Sequence, residues 1–278
     1  MTAPILVTGG TGTLGRLLVD RLRGAGLEIR VLSRKARPLG TGVEVVEGDL
    51  TTGAGVDRAV AGVETVVHCA GTAKGDELKA LALSQAAAAA GVLHIVFISV
   101  VGADQVPVVT AVDRAMFGYF AAKRAAEQVI EESGIPFTTL RATQFHELTL
   151  RTLAGMVRLP VVPVPSRTRF QPVAAAEVAD RLVELTLGQP AGLVADFAGP
   201  RIYGMDEMLR AYLSATGGRR WLVPVRMPGR AARAIRDGAN LAPDDAVGAL
   251  TWEDFLLQHV PQPANLAGPA PQQADHVP

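Results

Sequence analysis

The chain is expected to fold as an α/β protein with a doubly wound parallel sheet, and three features carry that expectation. Short apolar runs alternate with stretches of helical period through the first half of the sequence. The runs are apolar on both faces, as strands of a parallel sheet covered by helices must be. The first run leads directly into the glycine-rich segment "TGGTGTLG" (8–15) and then into a helix-period stretch.

Taken in order, "PILVTGG" reads as the first strand and "LGRLLVDRLRGAG" as a helix ending at Gly24 or Gly26. "EIRVLSR" and "VEVVEGDL" are the second and third strands, and "GVDRAVAGV" a short helix. "TVVHCAG" is the fourth strand, "DELKALALSQAAAAAGV" a long helix and "HIVFISVVGA" the fifth strand. "FAAKRAAEQVIEESGI" is a helix, with "FTTLRAT" after it as a sixth strand. Residues 1–145 therefore form the nucleotide-binding core.

Beyond that the pattern loosens. "RFQPVAAAEVADRLVELTLGQ" reads as a turn feeding a helix, "VADFAGP" as a late strand, and "MDEMLRAYLSAT" and "GRAARAIRDGAN" as helices. "TWEDFLLQHV" opens with Thr251 as an N-cap and acids in the first turn. Residues 146–260 are thus expected to form a small, mainly helical substrate lobe, interleaved with the core and lying over the carboxyl ends of the strands. The tail, 261–278, is rich in Pro, Gln and Ala without apolar period and is expected to be disordered.

Composition narrows the function classes. Lys+Arg and Asp+Glu balance at 27 each over 278 residues, aromatics are 5%, and no basic stripe stands out, so neither nucleic acid nor an anionic membrane is expected as a partner. Cys69 is the single cysteine, which excludes an internal disulfide. No leader pattern opens the sequence and no apolar run is long enough to span a bilayer, so the expected location is cytoplasmic. Oligomeric state is left as monomer or homodimer.

Gly9, Gly12 and Gly15 have G-x-x-G-x-x-G spacing, with Thr11, Thr13 and Leu14 between them. Glycine at such positions allows a tight turn, close approach of backbone to a diphosphate, and close packing of the following helix. The helix starting near Leu14 offers free N–H groups and a positive dipole end. The second strand ends in Leu32-Ser33-Arg34-Lys35, with no carboxylate to accept from a ribose 2′-hydroxyl. A hydroxyl and two cations suit a 2′-phosphate instead, so NADP(H) is expected over NAD(H). Asp49, beside Leu50, either accepts from the adenine amino group, with Leu50 flanking the ring, or serves as a plain turn residue. Ala70 and Gly71 are small enough to let backbone run beside the cofactor; His68 and Cys69 are read as packed strand residues, and no metal site is expected.

In combination, "VTGGTGTLG" (7–15), "VLSR" (31–34), "GDL" (48–50), "HCAG" (68–71), "FISVVGAD" (97–104), "YFAAKRAAE" (119–127), "SGIPFTTLRATQF" (133–145) and "FQPV" (170–173) resemble the short-chain dehydrogenase/reductase superfamily, and within it the atypical, NmrA-like NAD(P)H-binding branch. The resemblance implies a Rossmann fold and a Tyr-x-x-x-Lys pair, here Tyr119 and Lys123, on one helix face. It implies that Lys123 holds the nicotinamide ribose and favours the Tyr119 phenolate, and that Tyr119 gives a proton to a carbonyl oxygen. Ser99 stands nearest the place of the superfamily's catalytic serine, with Val100 where the hydroxyl is expected. That departure favours acceptors that need little proton assistance. Gln144, Phe145 and His146 match the stretch that lines the pocket in relatives, with His146 read either as a proton donor or as a solvated loop residue. The implied activity is NADPH-dependent hydride transfer to a small apolar quinone, conjugated or carbonyl compound; the alternative is an NADP(H)-binding redox sensor without turnover. Phe117 and Phe120 are read either as pocket wall or as core, and Arg169 and Gln171 either as lobe-interface contacts or as braces of the turn.

Overall fold

A computed structural model describes residues 3–72 and 75–261. In chain order its elements are β1 (Ile5–Thr8), α1 (Thr13–Gly24), β2 (Ile29–Ser33), β3 (Val43–Glu47), α2 (Val56–Val60), β4 (Thr65–His68), α3 (Asp76–Ala90), β5 (His94–Val100), α4 (Ala111–Glu132) and β6 (Phe137–Ala142). There follow α5 (His146–Met156), β7 (Val161–Pro165), β8 (Arg169–Phe170), α6 (Ala175–Leu187), β9 (Gly192–Leu193), β10 (Tyr203–Gly204), α7 (Met205–Ala215), β11 (Trp221–Val225), α8 (Arg230–Asp237) and α9 (Trp252–His259). The expected tail lies outside the described residues, apart from its first position.

Seven strands form one sheet in the order β3-β2-β1-β4-β5-β6-β9, and every pairing is parallel. This is the doubly wound, Rossmann-type arrangement, in which strand order reverses between β1 and β4 and leaves a crevice at their carboxyl ends. β5 shows why its sequence is apolar throughout. All seven residues are buried, with Ile95 and Phe97 packing on the α3–α4 side and Val96 and Ile98 on the α1–α6 side.

α4 begins at Ala111, well before the expected start at Phe120. Its start is a capping box. The Thr110 hydroxyl accepts from the Asp113 N–H (3.0 Å) and the Asp113 carboxylate accepts from the Thr110 N–H (3.1 Å). The extra turns carry Met116, Phe117 and Tyr119 as helix residues. The expected strand "VADFAGP" (194–200) does not form: the two-residue β9 lies just before it, and within it Phe197 makes a single parallel bridge to Ala142.

The lobe has its own core. Leu153, Val162, Tyr203, Leu209, Trp252 and Phe255 pack together across α5, β7, β10, α7 and α9. Two of its pieces were not expected. α5 begins at His146 inside a stretch read as loop, and "VVPVP" pairs with "WLVPV" as a two-stranded parallel ribbon, β7 with β11. Its prolines are tolerated because such a ribbon consists only of edges. α6 leaves the lobe to pack on α1, where Arg21 is paired with Asp180.

Candidate functional site

The glycine turn after β1 is shaped by contacts that exclude side chains. Gly9 has φ +72°, and a Cβ there would lie 2.6 Å from the Ala70 nitrogen. A Cβ on Gly15 would lie 2.2 Å from the Gly9 oxygen, so this glycine lets α1 sit down on the turn. Gly12 differs. A Cβ there would meet the Gly9 oxygen at 3.3 Å, a tight contact, and nothing else within 4 Å. Gly12 is also the N-cap of α1, without a side-chain cap, and the first turn holds no acid. A concave turn, a bare helix N-terminus and no competing carboxylate fit a dinucleotide diphosphate. Thr11 is exposed and Thr13 half-buried at the mouth of this cradle, while Leu14 points into the core. Leu14 therefore has only its backbone to offer.

At the end of β2, Ser33 is half-buried, its Oγ accepting from the Lys35 N–H at 3.4 Å, while Arg34 and Lys35 are exposed. Asp49 accepts from the Thr51 N–H at 2.8 Å; that bond, with a smaller contribution from Arg34, holds its carboxyl below the usual range. Asp49 and Arg34 thus border one region. Leu50 is a correction. It is buried in the core with Val56 and Val60 and leaves no face for an adenine ring.

His68 is a packed strand residue, as expected; Cys69 lies one position past the end of β4 and is half-buried. His68 Nδ1 shares a hydrogen bond with Thr8 Oγ1 (2.7 Å), its ring stacks on Phe97, and burial lowers its pKa to about 3. Burial pushes the Cys69 thiol up to about 12, so it is not a thiolate.

Tyr119 and Lys123 share the face of α4 that meets the ends of β4 and β5. Lys123 is buried; its Nζ donates to the Ile98 carbonyl (3.1 Å) and lies 3.4 Å from Asp76 Oδ2. It also sits 4.8 Å from the Phe97 ring centre and 5.8 Å from that of Tyr119. A Cβ on Gly71 would come within 3.0 Å of the same Nζ, so the small "HCAG" end is what admits the ammonium. Burial lowers the Lys123 pKa, while Asp76 pulls it back up.

Asp76 was not anticipated. It is fully buried at the start of α3, and its Oδ1 accepts from the Thr72 N–H (2.7 Å) and from Lys79 Nζ (3.1 Å). In the sequence it looks like any acid in a helix first turn, and no spacing ties it to Lys123. Its presence corrects the phenolate expectation. Burial first, and the Asp76 charge second, push the Tyr119 phenol well above its ordinary range. Tyr119 remains 39% exposed at the site, and a phenol is neutral near pH 7 even at its ordinary pKa of about 10, so its hydroxyl can donate a proton.

Ser99 does not join the pair. It is buried near Glu127, its Oγ without a hydrogen-bond partner among the described residues; burial pushes the Glu127 carboxylate up, and hydrogen bonds from Arg141 and Arg124 bring it to a net lowered pKa. Arg141 grips Glu127 with two bonds of 2.8 Å. Ser99 belongs to that buried charge cluster, because strand alternation turns it toward α4.

Of the three pocket candidates, Gln144 alone keeps its polar group at the strand ends. Its Nε2 donates to the Asn240 carbonyl (3.5 Å), and its buried Oε1 has no partner among the described residues. Phe145 packs against the α1–α6 side of the sheet. His146 is a correction. It is fully buried, neither in a solvated loop nor lining a pocket, with Nε2 3.0 Å from the Leu250 carbonyl and its ring stacked on Phe255 and Trp252. Gln171 is a brace, bonded to Gly199 and Ala242 through both ends of its amide. Phe117 and Phe120 pack under α8 against Val106, Ala231 and Ile235.

The geometry is that of a dinucleotide cradle with a buried lysine and a tyrosine above it, and the sequence matches known proteins accordingly. A family model described as NAD(P)H-binding matches residues 9–187. The chain belongs to the NAD(P)H-binding family. This agrees with the resemblance to the NmrA-like branch of atypical short-chain dehydrogenases/reductases.

Among relatives of this chain, the (4-alkanoyl-5-oxo-2,5-dihydrofuran-3-yl)methyl phosphate reductase of Streptomyces griseus is 37% identical over 163 residues, 57% of this chain and 54% of that protein. The ceramide reductase of Caulobacter vibrioides is 30% identical over 245 residues, 81% of this chain and 74% of that protein. The chain spans about half the length of the first of these. The NADPH-dependent quinone oxidoreductase of Escherichia coli, solved with NADPH, shares the fold, with a TM-score of 0.77 at 19% identity over 91% of this chain and 99% of that one. Among the described residues no helix is long and apolar enough to cross a membrane.

Proposed function

We propose that the chain is an NADPH-dependent reductase that delivers hydride to a small apolar acceptor, a quinone, conjugated or carbonyl compound. The observation that carries this reading is the placement of Tyr119 and buried Lys123 on one face of α4, above the strand ends that flank the glycine cradle. When bound, the reduced dinucleotide supplies the hydride. The α1 N-terminus and the glycine turn bind its diphosphate, Arg34 and Lys35 hold the 2′-phosphate, and Lys123 meets the nicotinamide ribose hydroxyls. Asp76 keeps the Lys123 ammonium in place from the opposite side. Tyr119, protonated across the neutral range, offers a proton to the acceptor oxygen.

With Val100 where a second hydroxyl is expected and Ser99 buried, Tyr119 works without a partner hydroxyl, which favours electron-poor acceptors over simple ketones. The two reductase relatives support the reading at the level of reaction class. The test is NADPH oxidation across quinones, enones, aldehydes and aromatic ketones. Tyr119→Phe is expected to lower kcat about a hundredfold or more on carbonyl acceptors, as loss of a positioned proton donor does, with NADPH affinity kept. Tight NADPH binding with no turnover on any acceptor would instead identify a sensor.

A further inference from the structure

Overall neutrality conceals a local excess of positive charge. Between 219 and 236 the chain has Arg219, Arg220, Arg226, Arg230, Arg233 and Arg236 and no carboxylate, which corrects the expectation that basic stretches are missing. Four arginines, Arg167, Arg226, Arg233 and Arg236, line one hollow of about 430 Å³ with Asp237 as its only acid, four positive charges against one negative. Arg236 is tied to the Met227 carbonyl at 2.8 Å, and Arg233 lies 3.7 Å from Asp237. Arg167 and Arg226 have no hydrogen-bond or ion-pair partner among the described residues.

The hollow is carried in part by the helix that packs on α4, the helix bearing Tyr119 and Lys123. α8, which carries Arg233 and Arg236, packs through Ile235 on Phe117 and Phe120 of α4, and its Ala231 N–H reaches Asp113 at 3.3 Å. The segment leaving α8 closes on the carboxyl ends of the central strands. The Ala239 carbonyl lies 2.2 Å from where a Gly102 Cβ would stand, and the Asn240 carbonyl accepts from Gln144.

We propose that this hollow seats a phosphate-type anion of a small ligand, and that the ligand is the acceptor reduced at the Tyr119–Lys123 site. Four guanidinium groups against the single Asp237 carboxylate leave an excess of positive charge, and an anion offsets that excess. Their fork geometry matches phosphate oxygens, and a dianion matches the net charge better than a carboxylate does. The volume is that of a small-ligand pocket, and no aromatic side chain lines it for base stacking. Assigning the anion to the acceptor rests on the reductase reading; binding of the anion does not.

The test is calorimetric titration of methyl phosphate, with inorganic phosphate alongside, into the full chain saturated with NADP⁺ so that the diphosphate cradle is filled. Arg226→Ala/Arg233→Ala, both on the surface, is expected to weaken uptake about tenfold or more, with melting temperature and NADP⁺ affinity unchanged. Arg226→Lys/Arg233→Lys, which keeps the charge but not the fork, is expected to fall between the two. No uptake by the wild-type chain, or equal uptake by the alanine variant, overturns the proposal. Sedimentation with phosphatidylglycerol vesicles that needs these arginines, without methyl phosphate uptake, also overturns it, in favour of a lipid surface. If NADP⁺ itself does not bind, the reductase reading fails, and the same titration on the cofactor-free chain still decides the hollow. Given turnover, the alanine variant should raise KM for a phosphorylated acceptor and leave its kcat unchanged.

Discussion

Arg34 stands exposed at the end of β2, close enough to Asp49 to help lower its pKa. If it forks onto a 2′-phosphate, Arg34→Ala should weaken NADPH about ten- to a hundredfold and leave NADH nearly untouched; equal losses in fluorescence titration would refute the assignment. His68 makes a different residue-scale prediction. Its pKa is about 6.5 when exposed and about 3 when folded, so the folded chain binds fewer protons than the unfolded one. The stability this contributes is fully present above about 6.5 and is lost as pH falls toward about 3. Buried His94 and His146, also lowered by burial, act with the same sign. Urea midpoints should therefore fall steeply from pH 7 to 4, and less steeply in His68→Gln. Arg34 could be singled out in the sequence because a strand end locates it, and Tyr119 and Lys123 because the family resemblance points to their spacing. Asp76 could not, because its partner Lys123 belongs to a different helix.

Two glycines distinguish what the turn needs for folding from what it needs for a ligand. Gly15→Ala would drive a methyl into the Gly9 carbonyl and should destabilise the chain strongly. Gly12→Ala has a permitted φ of −79° and a single tight contact, to the Gly9 oxygen at 3.3 Å, so its melting temperature should fall far less than that of Gly15→Ala. NADPH affinity should nevertheless drop, since the methyl occupies the cradle; unchanged affinity would count against diphosphate binding there. The first βαβ unit could be read from sequence because its period, punctuation and glycines all agree. α4 was placed too late because its capping box, Thr110 to Asp113, precedes the clear helical period. α5 and the β7–β11 ribbon were missed for other reasons. α5 starts without a side-chain cap, and prolines in β7 and β11 read as breaks until the two strands are seen to pair only with each other.

Across the molecule, the lobe is held by one aromatic stack: His146 from α5 with Trp252 and Phe255 from α9. Trp252, fully buried, also donates its indole N–H to the Met208 carbonyl of α7 at 3.2 Å. Trp252→Ala should therefore cost about 3–5 kcal/mol in denaturant unfolding and loosen the lobe before the sheet. Hydrogen exchange should show α5, α7 and α9 opening while β1, β4 and β5 stay protected; uniform opening would contradict this. The cradle, the parallel sheet and the Tyr119–Lys123 spacing were written in local pattern, since each depends on neighbours within a turn or a strand. The Asp76–Lys123 pair, the turning of Ser99 toward Glu127, the burial of His146 and the meeting of four arginines were set by packing between distant segments. No local period records which side chains such packing brings face to face, and charge neutralisation and desolvation act only after that meeting has occurred.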